Sequence, residues 1–487
     1  VLSGEAGEPA ANERILLGEG QLAAGIRLAC QVRPLHDLTF RRLLPAAGTV
    51  WRPLVRETPH LPPLRPDRAP AGPGTEPGPS LGVAVDLGTT HLSVSLLDLT
   101  SGTCIAACRG RNPQAGHGAD VITRLVAAAE SAAGRRDLRR HAVEAIGEAL
   151  ASLAIRTGAH LDRVVRLTLV GNTAMLALLS GRNFAQLLEA RFWAETIDCL
   201  PLGNEDWASR WGIHPSASIR VLPPLAGFVG SDLLAGVAAT GLTERPGPGL
   251  LVDFGTNSEV ALWTGSTLWA ASAAGGPAFE GSGLRCGMVA EKGAIARVVV
   301  HEGVPTSSVI GGGEPLGICG TGLVDLVAEL VRAGTVSARG RFAPGVPAQG
   351  YLVARGQHDI VLTRNDVDVF QRAKAGIGAA IDVLMRLAGL ERSALSRLCI
   401  SGAFGTALDV ANAQRVGLVP EIPRERVELC GNTALAGCEL ALLDPGVGDR
   451  LAELAGRTKL VNLASCPEFD ASFLEQLHLR PAQGAWP

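Results

Sequence analysis

The sequence predicts an α/β protein built from two similar halves, and three observations carry that expectation. An apolar run ending in Asp-Leu-Gly-Thr is followed by a second alternating run at residues 82–94 (GVAVDLGTTHLSV). The same plan returns at residues 250–262 (LLVDFGTNSEVAL). Around both copies, strand-like and helix-like segments alternate. Each copy reads as a strand, a tight glycine turn and a second strand, a β-hairpin with its tip aimed at something. Such a turn presents backbone N–H groups and threonine hydroxyls where phosphate oxygens could sit. The aspartate just before it, Asp86 or Asp253, can hold a hydrated Mg2+. One hairpin of this kind is an ordinary turn; two imply a duplicated domain with a nucleotide clamped between the halves.

With 487 residues the chain is long enough for two or three domains. An apolar content of 47% and a net charge of −3 describe a globular protein, neither a nucleic-acid binder nor a membrane-surface protein. No window approaches a membrane span, and no signal peptide is seen. Val1 marks the chain as a fragment or processed form. The ten cysteines include no CxxC and no framework spacing, which points to a reducing cytoplasm and to buried small hydrophobes. Cys104 and Cys108, four apart in an expected strand, are placed on one face, with a metal pair as the lesser alternative.

In order, residues 1–45 read as a short helix, a turn holding Cys30 and a strand over Asp37–Arg41. Residues 46–80 form a linker; from Pro59 to Ser80 it holds eight prolines and reads as a semi-stiff spacer. The first half is expected over 81–240. Its stripe of Leu138, Val143, Ile146, Leu150 and Leu153 marks a helix over 137–157. A strand at 164–170 runs into Asn172 and Thr173, which can cap the next helix. Residues 219–225 read as a strand and 228–240 as a tightly packing helix of small residues. The second half is expected over 241–430. It contains a glycine-rich loop at 273–288, a glycine turn feeding a helix at 317–330, and a capping box from Thr363 to Asp366 that opens a helix over about 364–388. A strand and small-residue loop follow at 398–405. Residues 431–443 echo 171–179 as a second interdomain helix, and residues 431–487 are expected to return to the first half with a last strand and helix.

This order of parts resembles the superfamily of acetate and sugar kinases, heat-shock ATPases and actin, whose fold is two ribonuclease-H-like halves closing on ATP and Mg2+. The motifs narrow the resemblance. Arg-Asn-Pro-Gln, Val-Gly-Asn-Thr-Ala-Met, Asp-Phe-Gly-Thr-Asn-Ser-Glu, Gly-Pro-Ala-Phe-Glu-Gly, Gly-Ile-Cys-Gly-Thr-Gly and Ser-Gly-Ala-Phe-Gly together look like the ATP-dependent reductive activators of corrinoid proteins. In that family a [2Fe–2S] ferredoxin domain is fused to the ATPase, and residues 21–41 resemble the end of such a domain. Cys30 would then be the fourth cluster ligand, with the other three lying before Val1. The chain departs from the family pattern at His91 and Ser258, where a threonine and a glycine are usual.

The resemblance implies reduction of cob(II)alamin to cob(I)alamin in a corrinoid protein of a methyltransferase or methionine synthase system. An upstream electron donor and a homodimer are implied as well. It places Asp86 and Asp253 in the Mg2+ shell and as catalytic groups. Gly88, Thr89, Thr90, Gly255, Thr256 and Asn257 would cradle phosphates, and Gly402, Ala403 and Gly405 would flank adenosine. Lys374, on the helix before the adenosine loop, would contact adenine; a solvated lysine is the alternative. Glu259 would join Asp253 if the turn preserves register, with catalytic and structural roles both open. A small-molecule kinase of the same fold is the main rival function. The activator of hydroxyacyl-CoA dehydratases is a second; Cys438 lies near an interdomain helix as that protein's cluster would need, but Cys286 and Cys319 do not give its pattern.

Overall fold

The computed structural model describes residues 49–54 and 80–481 except 119, 204, 274, 282, 302 and 357, and in addition residues 22, 23, 25, 27 and 39. The chain divides into two compact units, 1–48 and 49–487. In the first, the Leu22 carbonyl accepts from the Gly25 N–H at 2.9 Å, closing one turn. Cys30 and the expected strand over Asp37–Arg41, apart from Thr39, lie outside the described residues, as does most of the proline-rich linker.

The second unit holds two six-stranded sheets of the same design. The first comprises β1 (Arg52–Pro53), β2 (Leu81–Leu87), β3 (His91–Asp98), β4 (Thr103–Arg111), β5 (Val164–Gly171) and β6 (Ser218–Val221), in the order β1-β4-β3-β2-β5-β6. The second begins with β7 (Gly249–Phe254), β8 (Ser258–Trp263) and β9 (Leu268–Ala273). A three-stranded insertion follows, made of β10 (Ala294–His301), β11 (Val304–Val309) and β12 (Gly317–Ile318), then a hairpin of β13 (Tyr351–Ala354) and β14 (Ile360–Leu362). The second sheet is completed by β15 (Arg397–Gly402), β16 (Val427–Gly431) and β17 (Lys459–Leu460), in the order β16-β15-β7-β8-β9-β17. In each sheet an antiparallel meander of three strands is extended by two parallel strands beside its first strand. Parallel strands need crossovers, and helices supply them.

Those helices are α1 (Val121–Glu130), α2 (Ala132–Thr157), α3 (Thr173–Ser180), α4 (Glu205–Trp211), α5 (Ser231–Thr240), α6 (Gly320–Arg332), α7 (Arg364–Leu387), α8 (Val410–Arg415), α9 (Thr433–Leu443), α10 (Pro445–Arg457) and α11 (Pro467–Gln476). The capping box at Thr363 and Asp366 starts α7, and Asn172 and Asn432 cap α3 and α9 by accepting backbone N–H groups. Three apolar layers hold the unit together. One joins the outer face of the first sheet to α1, α2 and α3, and another joins the outer face of the second sheet to α6 and α7. The third lies between the sheets and is built on α5, α9 and α10. In that layer α5 and α9 touch backbone to backbone. A Cβ at Gly437 would overlap the Ala235 carbonyl oxygen, which is why this pair is made of small residues.

Two expectations are corrected here. The last strand and helix do not return to the first half. β17 pairs with β9, and α11 packs on α7, where Gln371 Nε2 donates to the Leu477 carbonyl at 2.7 Å and Gln476 Nε2 to Asp382 Oδ2 at 2.7 Å. Nor do Cys104 and Cys108 share a face. The β3–β4 register shifts between Leu96 and Leu97, so Cys108 packs in the outer layer of the first sheet and Cys104 against the layer between the sheets. A bulge inserts one residue and reverses the alternation.

Candidate functional site

Each hairpin is held so that its turn and the adjoining strand ends face the space between the halves. In the first, three successive carbonyl oxygens are taken up from behind. Asn112 Nδ2 donates to the Gly88 oxygen at 2.9 Å, the wholly buried Arg124 donates to the Thr89 oxygen at 2.7 Å, and the Asn112 N–H donates to the Thr90 oxygen at 2.8 Å. With the carbonyls turned away, the planar peptides present their N–H groups toward the opposite side. In the second hairpin Asp253 and Glu259 are direct cross-strand partners, so the turn 255–257 does preserve the register that places both carboxylates on one face. The first hairpin is one residue longer, and Asp86 lies opposite Ser93 instead.

The two tips meet. Thr90 Oγ1 and Thr256 Oγ1 are 2.8 Å apart, and Glu280 Oε2 accepts from both, at 3.0 and 2.5 Å. They bound a cleft with a cavity volume of about 140 Å³, also lined by Asp86, Asp232, Asp253 and Glu259. From the second half Asn432 donates to Asp86 Oδ2 at 2.9 Å and to Ser93 Oγ at 3.2 Å. From the first half Asn172 lies beside Glu259. Two asparagine caps, each from one half, thus steady a carboxylate of the other.

Burial governs the charge state of the four carboxyls. It pushes Asp86 up to about 6, against the Asn432 hydrogen bond and the Arg109 charge. Asp232 and Asp253 are each raised to about 7, by burial first and then by neighbouring carboxylates, and Glu259 is raised well above its ordinary value for the same reasons. Arg109 lies at the rim, its guanidinium donating to His91 Nδ1 at 3.0 Å; burial and the nearby arginines hold His91 neutral, its pKa lowered to about 3. Opposite, Asn257 Nδ2 is buried without a hydrogen-bond partner among the described residues. Closely set carboxyls, an orphaned amide donor and threonine hydroxyls are the donor set that a divalent cation and phosphate oxygens would satisfy.

Of the residues expected from sequence, Asp86, Gly88, Thr89, Thr90, Asp253, Gly255, Thr256, Asn257, Glu259, Gly402 and Ala403 all line this cleft. Gly402 has φ of +87°, and a Cβ there would overlap the Phe254 carbonyl and Asp253 Oδ1, so the small-residue loop lies directly against the Asp253 carboxylate. Gly405, at φ +54°, ends the same loop and is not among the lining residues. Lys374 is not brought to the cleft. It is fully buried, and its ammonium donates to the carbonyls of Gln476 and His478 at 2.5 and 2.7 Å, tethering α11. Burial lowers it to about 7. Asp232, Glu280, Arg109 and Asn432 were not singled out by sequence. Two of them carried a signal: Asn432 as the echo of Asn172 in Gly-Asn-Thr-Ala, and Glu280 within the motif Gly-Pro-Ala-Phe-Glu-Gly.

Comparison with known proteins follows the same division of the chain. A family model described as the C-terminal domain of RACo, the ASKHA domain, matches residues 248–486, and one described as the RACo middle region matches residues 81–245. The corrinoid activation enzyme RamQ of Eubacterium limosum is 32% identical over 417 residues, covering 81% of this chain and 70% of that protein. The chain belongs to the family of ATP-dependent reductive activators of corrinoid proteins. The activator is also 28% identical over 408 residues to the [Co(II) methylated amine-specific corrinoid protein] reductase of Methanosarcina barkeri, covering 77% of this chain and 72% of the other. Among solved structures it is similar to a reductive activator for corrinoid, iron–sulfur protein, with a TM-score of 0.73 and 30% identity over 84% of this chain and 68% of that one. The activator's described residues include no helix long and apolar enough to cross a membrane.

Nine cysteines of the activator are described, none of them in a disulfide and six of them buried. They do not form an iron–sulfur site. Within the described residues, the group that could hold a metal ion is Cys399, Glu428 and Cys430, and the Glu428 carboxylate already accepts from Arg397 at 2.8 and 2.7 Å and from Arg245 at 2.9 Å. A cation there would have to displace two guanidinium groups.

Proposed function

We propose that the chain couples ATP hydrolysis in the cleft to reduction of a methyltransferase-type corrinoid protein, from cob(II)alamin to cob(I)alamin. The observation that carries this reading is the meeting of two Asp-Gly-Thr hairpins, one from each half, over a set of convergent carboxyls. Reduction to cob(I) lies at low potential, so an ordinary one-electron donor faces an uphill step. A nucleotide can supply the difference if its ATP and ADP forms bind the corrinoid partner differently. At 59 mV per 1.4 kcal/mol for one electron, a few kcal/mol of differential binding covers a useful gap.

Each group has a physical role in this proposal. Asp86 and Asp253 hold the hydrated Mg2+, which supplies charge neutralisation to the phosphates. Asn432 keeps Asp86 oriented and favours its ionised form. The N–H groups of Gly88–Thr90 and Gly255–Asn257 and the free amide of Asn257 take phosphate oxygens. Gly402 and Ala403 give adenosine a flat wall. Glu259, with its raised carboxyl, can hold or accept a proton beside Asp253. The halves 81–240 and 241–430 close through α5 and α9. The described cysteines do not fit a [2Fe–2S] cluster, so no electron step is routed through them; an iron–sulfur donor is proposed only as the family's chemistry, with Cys30 outside the described residues. A cytoplasmic setting and a homodimer complete the proposal.

The test is ATP hydrolysis by this chain with and without a corrinoid protein loaded with cob(II)alamin. Turnover that rises several-fold on adding the partner is expected. Turnover indifferent to any corrinoid protein, together with phosphoryl transfer to a small acid or sugar, would overturn the proposal in favour of a kinase.

A further inference from the structure

The mechanism above leaves one feature of the cleft unused. Glu280 closes the short 3-10 turn Pro277–Glu280 in the glycine-rich loop, and its carboxylate reaches across to both hairpin tips. Its Oε2 is 3.0 Å from Thr90 Oγ1 and 2.5 Å from Thr256 Oγ1, and the two hydroxyls are 2.8 Å from each other. One anionic oxygen therefore gathers the threonines that come from opposite halves. Arg109 lies close enough for its charge to be favoured by Glu280. Hydroxyl donors and a nearby guanidinium are the partners a phosphate oxygen would seek, and hydrogen bonds to an ionised acceptor are the strong ones.

We propose that Glu280 occupies the position of the terminal phosphate and is the residue by which the protein distinguishes ATP from ADP. The inference rests on the reading of the cleft as a Mg2+–ATP site. A carboxylate and a terminal phosphate cannot share the two hydroxyls, because both are anionic and both need the same donors. ATP must displace Glu280 and so parts the tip-to-tip contact it made. ADP has no third phosphate and leaves Glu280 in place, with the hairpins pinned. Glu280 is thus a positioning and specificity residue, and it gives ATP and ADP two different arrangements of the same cleft. No bond is made or broken in this exchange; one anion replaces another.

Two readouts on Glu280→Ala and Glu280→Gln test it. The first is amide hydrogen exchange of the nucleotide-free protein at residues 88–91 and 255–258. Pinning by Glu280 requires exchange to speed at both tips together in Glu280→Ala, and it needs no nucleotide to be seen. The second is binding of Mg2+–ATP and Mg2+–ADP by calorimetry. Removing the competing anion should tighten ATP by about tenfold, ~1.4 kcal/mol, with ADP unchanged within twofold, and Glu280→Gln should lie between because it keeps the shape without the charge. Equal exchange at both tips and an unaltered ATP-to-ADP ratio would overturn the proposal. So would a variant with normal ATP affinity and lost turnover, since that describes a catalytic base. If exchange speeds while neither wild type nor variant binds any nucleotide, the pinning role stands and it is the nucleotide reading that falls. Melting of Glu280→Gln beside wild type separates these results from misfolding.

Discussion

Asn432 donates a hydrogen bond from Nδ2 to Asp86 Oδ2 at 2.9 Å while its Oδ1 caps α9 through the Leu435 N–H at 2.9 Å. One side chain therefore both starts a helix that crosses between the sheets and orients the carboxylate expected to meet the cation. The two tasks can be separated. Asn432→Ser keeps a capping oxygen but loses the amide donor, and should leave the melting temperature near wild type while lowering Mg2+-dependent ATP turnover about tenfold. Asn432→Ala loses both and should also cost ~1 kcal/mol of stability. Equal turnover in Asn432→Ser and wild type would show that the donor does nothing for the site.

The carboxyls of the cleft make stability depend on pH in a set direction. Asp232 and Asp253 are raised in the folded protein to about 7 from an ordinary value near 4, so between those limits the folded state binds more protons than the unfolded chain. Their contribution is fully present below about pH 4 and is lost as pH rises through about 7. Without divalent metal, Asp253→Asn should stabilise the protein at pH 8 by on the order of 1–3 kcal/mol and by little at pH 5. Thermal melting at the two pH values checks this; a gain at pH 5 as large as at pH 8 would contradict it. Asp86→Ala and Asp253→Ala should each abolish Mg2+-dependent ATP turnover.

Lys374→Met tests whether that lysine serves the fold or the nucleotide. Its ammonium ties the carbonyls of Gln476 and His478 to α7, and losing it leaves two buried acceptors short of a donor. A loss of about 1–3 kcal/mol is expected, with nucleotide affinity unchanged within twofold. A tenfold weaker affinity at unchanged stability would restore the adenine contact.

Gly402→Ala forces a side chain into a left-handed conformation and onto Asp253 Oδ1. It should cost at least about 1–3 kcal/mol and weaken Mg2+–ATP by more than tenfold. Gly405→Ala meets no atom within 4 Å and should cost only backbone strain.

Much of this site was written locally. The hairpins, the asparagine caps and the capping box at Thr363 are signals carried within a few residues, and each sits where its local chemistry places it. What sequence reading missed depends on pairings across hundreds of positions. Nothing near Asp232 announces that α5 aims its first turn at Asp86 and Asp253, and nothing near Glu280 announces Thr90. The bulge that parts Cys104 from Cys108 has no glycine or proline to mark it, and Lys374 sits in a helix whose pattern only says that its face is inward. Two expectations failed for a similar reason. The partners of the C-terminal helix are set by buried polar contacts to α7, and of the lysine by the end of that same helix, neither of which leaves a periodicity.

The contact between α5 and α9 has a mechanical consequence. No side chain lies between Gly437 and Ala235 to act as a compressible cushion, so the pair transmits displacement the way two pressed rods do. Each rod begins at the cleft, one with Asp232 in its first turn and the other with Asn432 as its cap. A shift of the carboxylates that moves one rod therefore moves the other with it, within the layer between the sheets.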